Sequence, residues 1–148
     1  MKGLEMEFNT AFGFVPIDKR RTISKPRKSG ITMVSDYQLG LASLSDLIEV
    51  AGHYIDLFKI ATGTSRLFEK THLQAKIEML RTNDIRPFLG GQFQEYVLHT
   101  MGVDAMPRHL SEAQALGFDI IEISDNMVQL GQGLRQQLFN MVRDQGMN

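Results

Sequence analysis

Hydrophobic residues along positions 30–148 follow two alternating patterns, short apolar runs and longer stretches with helical spacing. Four short runs, each bounded by charged or turn-forming residues, are typical of buried strands. These runs are ITMVSD (31–36), DLFKIAT (56–62), RPFLGG (86–91) and DIIEISD (119–125). Apolar residues after each run recur three or four positions apart, which predicts amphipathic helices. The sequence therefore predicts strands and helices in alternation.

Each predicted helix has one apolar face. Ser43 and Asp46 predict a capping box at the start of the first helix. Gly117 predicts the end of a helix that begins after Pro107. In chain order, the apolar faces consist of Leu44, Leu47, Ile48 and Ala51; Leu73, Ile77 and Leu80 within 66–82; Phe93, Tyr96, Val97 and Met101; and Leu134, Leu138, Met141 and Val142.

Four strand–helix units follow one another at the spacing of a βαβ repeat, about 30 residues. The fold class is therefore α/β, with a parallel sheet covered by helices. Right-handed crossovers place the loops that follow the strands at one rim, where parallel α/β folds bind their ligands. The polar stretch at residues 1–29, with its basic run DKRRTISKPRK, predicts an N-terminal arm before a domain at residues 30–148.

Composition narrows the choice of function. The formal net charge is −1, with 22% charged residues, so a dedicated nucleic-acid-binding protein is not expected. The chain has no cysteine, which excludes disulfides and thiolate metal sites within it. No apolar run is long enough to span a bilayer, and MKGLEMEFNT lacks the pattern of a secretory signal, so a cytoplasmic location without membrane contact is expected.

Polar residues and glycines collect at the same end of successive predicted strands. Asp36 ends the first strand, and Gly63 and Thr64 follow the second. Gly90 and Gly91 follow the third, with Glu95 one helical turn later, and Ser124 and Asp125 end the fourth. These glycine-bearing loops suit the close approach of backbone amides to an anion, although neither matches a P-loop or a dinucleotide-binding fingerprint.

Two charged residues lie inside predicted strands. Because strand side chains alternate, Lys59 lies opposite Phe58 and Ile60, and Glu122 lies opposite Ile121 and Ile123. The apolar faces are expected to meet the helices, which directs Lys59 and Glu122 to the other face. One interpretation is a structural ion pair inside a curved sheet. The other is a cation and carboxylates around an anionic, metal-bound substrate.

Six segments in this order resemble the phosphosulfolactate synthase family, which includes plant heat-stress-associated relatives. They are KPRKSGIT, VSD, YIDLFKIATGTS, KIEML, FLGGQFQEY and LGFDIIEISDN, and the resemblance extends over residues 25–143. It implies a TIM-type (β/α)8 barrel, of which this chain covers about four βα units, a half-barrel. It also implies a carbon–sulfur lyase that adds sulfite to phosphoenolpyruvate with Mg²⁺, giving (2R)-phospho-3-sulfolactate, the first step of coenzyme M biosynthesis in methanogens.

The resemblance also implies roles for the residues at the strand ends. The catalytic residues would be Lys59, Glu122 and Asp36; the Mg²⁺ ligands would be Glu95, Glu122 and Asp125; and the substrate would contact Arg27, Gly63, Thr64, Gly90, Gly91 and Ser124. Oxygen-rich carboxylate ligands suit Mg²⁺. Lys59 would neutralise a phosphate or a developing enolate charge.

Length leaves alternatives open, because a full barrel of this type needs about 250 residues. A half-barrel exposes strand edges and an apolar interior, which favours association into homo-oligomers. Two other functions remain possible on the residues alone. One is a non-catalytic, stress-associated or interaction protein derived from the same barrel, and the other is a barrel enzyme in which Lys59 forms a Schiff base with a carbonyl substrate.

Overall fold

The computed structural model describes residues 11–16, 18, 20, 22 and 24–148. Much of the predicted arm, namely residues 1–10, Ile17, Lys19, Arg21 and Ile23, lies outside the described residues. The division of the chain at residue 29 therefore stays a prediction. Lys25 joins the arm to the domain, because its Nζ donates 2.7 and 3.3 Å hydrogen bonds to Gly52 O and Asn83 O.

The predicted α/β fold is confirmed as a parallel sheet with helices between its strands. The strands are β1 (Met33–Asp36), β2 (Leu57–Ile60) and β3 (Arg86–Leu89), in the order β1-β2-β3. All three are shorter than the apolar runs that predicted them. In this register Lys59 pairs with Ser35 on one side and Phe88 on the other, and Ile60 pairs in the same way with Asp36 and Leu89. Residues paired in this way share a face of the sheet.

The fourth predicted strand lies beside β3 but makes only one parallel bridge, between Leu89 and Ile121. Arg86 N and Gly90 N donate to Asp56 O and Ile60 O on the β2 side, whereas Leu89 N donates to Ile120 O. Backbone N–H groups alternate along a strand, so the N–H of residue 87 would point toward the fourth-strand segment. Residue 87 is a proline and has no N–H to donate. The ladder is short because one donor is missing and the chain turns into a helix directly after Leu89.

Five α-helices cover the described sheet. They are α1 (Leu41–Ala51), α2 (Lys70–Arg81), α3 (Gly91–Met101), α4 (Met106–Leu116) and α5 (Gln132–Asp144). Gly117, with φ 105°, ends α4 as predicted. The predicted capping box is wrong, because α1 begins three residues earlier, with Gly40 instead of Ser43 at the cap position, and has no side-chain cap. No helix in the described ranges has the length and apolarity needed to cross a membrane.

The main core lies between one face of the sheet and the helices α1, α2 and α4. Phe58 and Ile60 of β2 are fully buried there, as their alternation with Lys59 predicts. The helical residues of this core include Leu44, Leu73, Ile77, Leu80, Leu110 and Ala113. A second cluster joins α3 to α5 through Val97, Leu98, Met106, Leu130 and Leu138. The opposite face of the sheet carries the residues considered next.

Candidate active site at the carboxyl ends of the strands

Lys59 and Glu122 meet on the face of the sheet opposite the main core. Lys59 Nζ lies 2.6 Å from Glu122 Oε2 and 2.9 Å from Oε1. Gly91 N donates a 2.7 Å hydrogen bond to Glu122 Oε2. The side chains of Lys59 and Glu122 are 22% and 36% exposed, so this ion pair is open to solvent. We call Lys59, Glu122 and Gly91 the lysine–glutamate cluster.

Two glycines make this close arrangement possible. A Cβ built on Gly91 would lie 2.4 Å from Ser124 Cβ and 2.9 Å from Glu122 O. A Cβ on Gly90 would lie 2.9 Å from Ile60 O and 3.2 Å from Lys59 Cε. Real Cβ atoms do not approach backbone atoms so closely, so a side chain at either position would push the strands apart. The sequence GG therefore brings the start of α3 against the fourth-strand segment.

Glu95 holds the loop that follows this segment. Its buried carboxylate accepts hydrogen bonds from the Ser124 hydroxyl and from Asn126 N at 3.2 Å, Met127 N at 2.5 Å and Val128 N at 2.8 Å. Burial raises the pKa of Glu95, but these four hydrogen bonds outweigh burial and lower the pKa below its ordinary value. Glu95 is therefore a carboxylate anion that fixes residues 124–128.

The loop after β2 is a compact turn beside α3. Gly63 takes a left-handed conformation with φ 79°, and a Cβ there would contact the Phe93 ring at 3.4 Å. The Thr64 hydroxyl donates a 2.9 Å hydrogen bond to Ala61 O. This bond leaves the hydroxyl hydrogen of Thr64 engaged within the turn.

Asp36 lies apart from the lysine–glutamate cluster. Its register with Ile60 places it on the core face, where its fully buried carboxylate forms an ion pair with Lys76 of α2. Asp36 Oδ1 also accepts hydrogen bonds from Gln38 N at 3.0 Å and Leu39 N at 2.7 Å. Lys76 Nζ in turn donates a 2.6 Å hydrogen bond to Leu39 O. The Asp36–Lys76 pair thus fixes the loop after β1 from the core side of the sheet.

Arg27 lies at the other end of the strands. Its Nε donates hydrogen bonds of 2.9 and 3.0 Å to the carboxylate of Asp56, the residue directly before β2. Its Nη1 donates a 3.0 Å hydrogen bond to His53 O. Asp56 also accepts a 2.8 Å hydrogen bond from Thr32 N. Burial raises the pKa of Asp56, but the bonds from Thr32 and Arg27 outweigh it, and the pKa is lowered.

The three carboxylates predicted as metal ligands do not form one three-ligand group among the described residues. Asp125 forms an ion pair with Arg135 of α5, and Glu95 and Glu122 accept the hydrogen bonds given above. Among the described residues, no group of three or more His, Asp or Glu side chains could hold a metal ion. The predicted roles of Glu95, Glu122 and Asp125 toward Mg²⁺ therefore remain predictions.

Sequence reasoning missed Lys76 and Arg135 as ion-pair partners. Lys76 stands three residues after Leu73 and four before Leu80, so helical spacing places it on the apolar face of α2. A lysine on a buried face requires a partner, and this signal was present in the sequence. Arg135 lies on a half-exposed surface, where no pattern singles it out.

Comparison with known proteins identifies relatives over most of the chain. The family model for (2R)-phospho-3-sulfolactate synthase (ComA) matches residues 20–148. Phosphosulfolactate synthase of Methanothermobacter thermautotrophicus is 37% identical over 122 residues, which are 82% of this chain and 46% of that protein. Phosphosulfolactate synthase of Methanocaldococcus jannaschii is 30% identical over 79% of this chain and 45% of that protein.

A plant protein is also similar to this chain. Protein HEAT-STRESS-ASSOCIATED 32 of Arabidopsis thaliana is 25% identical over 83% of this chain and 43% of that protein. The chain therefore spans under half the length of each of these three relatives.

Proposed function

The chain belongs to the (2R)-phospho-3-sulfolactate synthase family, and on that basis we propose that it forms part of a lyase site that joins sulfite to phosphoenolpyruvate. The observation that carries this proposal is the lysine–glutamate cluster, in which a cation and a carboxylate remain open to solvent at 22% and 36% exposure. Both residues lie on strand segments whose carboxyl ends share one rim, the place where parallel α/β folds bind their ligands.

The proposed reaction forms a carbon–sulfur bond. The sulfur lone pair of sulfite attacks the methylene carbon of phosphoenolpyruvate, and the double-bond electrons move into the adjacent carboxylate as an enolate-like dianion. A proton then reaches the carbon that carries the phosphate ester, which completes (2R)-phospho-3-sulfolactate. The Lys59 ammonium, held in place by Glu122, would neutralise the phosphate or the developing dianion.

The donor chemistry of the rim suits Mg²⁺, which takes one or two protein carboxylates and completes its shell with water and substrate oxygens. We propose that Glu122 and Asp125, whose side chains are 36% and 46% exposed, would hold the ion. Mg²⁺ would supply neutralisation of the enolate charge. Glu95 would support the metal site indirectly, through the loop that it fixes, because direct coordination would cost it some of its four hydrogen bonds.

The positions of the remaining predicted residues suggest their roles in the proposed site. Gly63, Thr64, Gly90 and Gly91 form the rim loops that would approach the substrate, and the Ser124 hydroxyl stays bonded to Glu95 beneath them. We propose that Asp36 acts indirectly, by holding the loop after β1. Arg27 would hold the N-terminal segment to the opposite end of the strands, because its Nε donates to Asp56 and its Nη1 donates to His53 O.

We also propose that this unit is half of a (β/α)8 barrel and that copies of the chain associate. In the described part of the chain, β1 pairs with a strand on one side only. Met33 and Tyr37, at and after this edge, are 53% and 60% exposed. A free edge with exposed apolar residues favours pairing with another chain. Native mass spectrometry tests this: dimers or larger species support it, and a monomer at all concentrations contradicts it.

The test of the reaction is product formation. The full chain is incubated with phosphoenolpyruvate, sulfite and Mg²⁺, and the product phosphosulfolactate is measured by mass spectrometry. We expect product from the wild type, none from Glu122→Gln, and wild-type levels from Glu78→Gln, an exposed glutamate on α2. No Mg²⁺-dependent product from a folded wild-type sample would contradict synthase activity for this chain.

One observation favours a second candidate, a non-catalytic member of the family. The chain is similar to a plant protein named for heat stress, and it spans under half of that protein and of the synthases. A folded, stable chain that makes no product and gains no stability from phosphoenolpyruvate with Mg²⁺ would support this second candidate.

A further inference from the structure

A cavity of about 530 Å³ lies on the core side of the sheet, away from the lysine–glutamate cluster. It is lined by residues 65–68 after β2, by the first turn of α2, by α3 and by α4 along its length. Leu89, which shares the core face with Ile60, forms part of its floor. This volume falls within the range of small-molecule sites, about 300–1,000 Å³.

The cavity wall is mainly apolar. Phe68, Leu73, Phe93, Val97 and Phe118 are among the side chains that line it. A water molecule needs two to four polar partners to be stable in such a space, and the wall offers few. The wall therefore suits a ligand with an apolar body.

Two residues of the wall, Ser65 and His109, each have a buried polar atom without a partner in the described part of the chain. Ser65 Oγ and His109 Nε2 are buried and make no hydrogen bond with any described residue. Ser65 is only 8% exposed as a residue. Burial lowers the pKa of His109, so its ring is neutral at pH 7 and can donate from Nε2 in one tautomer. Both atoms lie behind the cavity surface, so the neutral His109 ring adds to the uncharged part of the wall.

Cations surround the opening. Arg66 and Arg108 line the cavity and are exposed, and neither forms an ion pair with a described residue. The one carboxylate in the lining, Glu112, lies 3.6 Å from Lys70, which offsets its charge. The opening therefore has an excess of positive charge that a single anionic group complements.

We propose that this cavity binds a small carboxylate with an apolar aryl or alkyl body. The body would occupy the apolar wall beside the His109 ring, and the carboxylate would lie near the opening and accept hydrogen bonds from Arg66 and Arg108. Phosphoenolpyruvate lacks an apolar body of this kind, so this site differs in ligand class from the site at the carboxyl ends of the strands. The proposal stands whether or not the chain makes phosphosulfolactate.

The probes are 2-naphthoate and its neutral isostere 2-naphthamide, titrated into the full chain by calorimetry at pH 7.5. We expect 2-naphthoate to bind with a Kd below about 1 mM and the amide to bind at least about tenfold more weakly, because charge-assisted hydrogen bonds are lost. In histidine side-chain NMR spectra, 2-naphthoate should shift the His109 resonances and leave those of His99, exposed on α3, unchanged.

Variants locate the anionic group. Arg66→Gln/Arg108→Gln should weaken 2-naphthoate at least about tenfold. Lys28→Gln/Arg143→Gln, which removes two exposed cations that do not line the cavity, should bind like the wild type. Equal affinity of acid and amide, equal effects of the two double variants, unchanged His109 resonances, or no binding at all would each overturn the proposal. The wild-type comparison of acid with amide keeps the test valid even if a variant does not fold.

Discussion

Replacing Glu95 by glutamine tests whether this buried carboxylate fixes the loop after the fourth-strand segment. Glutamine has nearly the same shape but only one acceptor oxygen, and its NH2 group cannot accept. The wild-type carboxylate accepts two donors on each oxygen, Ser124 Oγ and Asn126 N on Oε1, and Met127 N and Val128 N on Oε2. The variant therefore leaves two of the four donors without an acceptor.

The expected loss of stability follows from the two hydrogen bonds that the variant cannot make. A hydrogen bond to a charged group contributes about 1.5–3 kcal/mol, so two of them contribute about 3–6 kcal/mol. Met127 is 78% exposed, so the loop can turn one freed amide toward water and recover part of this. We expect Glu95→Gln to lower the free energy of unfolding by about 2–4 kcal/mol at pH 7.

The assay is urea denaturation followed by circular dichroism, repeated at several pH values. Because the pKa of Glu95 is lowered in the folded state from 4.5, its stabilisation is fully present above that pH and is lost as the pH falls through the folded pKa. The gap between wild type and Glu95→Gln should therefore narrow in acid. Glu78→Gln should change stability by less than about 0.5 kcal/mol. A Glu95→Gln loss as small as the control, or a gap independent of pH, would refute the reasoning.

Three further predictions concern stability, measured by the same denaturation. Gly91→Ala should cost about 1–3 kcal/mol, because the new Cβ would overlap Ser124, and an unchanged midpoint would contradict the close approach. Lys76→Met should lower the free energy of unfolding by about 3–5 kcal/mol, because it leaves Asp36 buried without its cation; an unchanged stability would contradict a buried ion pair between the two residues. Asp56→Asn should lower the free energy of unfolding by about 1–3 kcal/mol at pH 7. Because the folded pKa of Asp56 is lowered from 3.8, this loss should become smaller below that pH. A loss that does not change with pH would contradict the role of the Asp56 carboxylate.

Alternation along β2 made much of the site predictable. Phe58 and Ile60 had to face the helices, so Lys59 had to face the other way, and the same alternation placed Glu122 opposite Ile121. The structure joins these two residues in one ion pair. The glycines after β3 were predictable as a point of close approach, although not the atoms that they approach.

The pairing register of the strands and the partners of Glu95 could not be predicted in the same way. Asp36 ends an apolar run just as Ser124 and Asp125 do, but its pairing with Ile60 directs it to the core face. Pairing register depends on the neighbouring strand, which a single run of residues does not specify. The shortness of the fourth strand depends on which side of β3 the N–H of position 87 would face. Glu95 was predicted at the rim, but its four donors come from a loop that had no pattern of its own.

The central claim is that Lys59 and Glu122 serve a ligand rather than only the fold. The most direct test is the double variant Lys59→Met/Glu122→Leu, whose melting temperature is measured with and without phosphoenolpyruvate and Mg²⁺. A structural pair can be replaced by apolar residues of similar size without loss of stability. We predict that the variant stays folded and that the ligands, which raise the melting temperature of the wild type, no longer raise it. An equal ligand-induced rise in both proteins would contradict the claim.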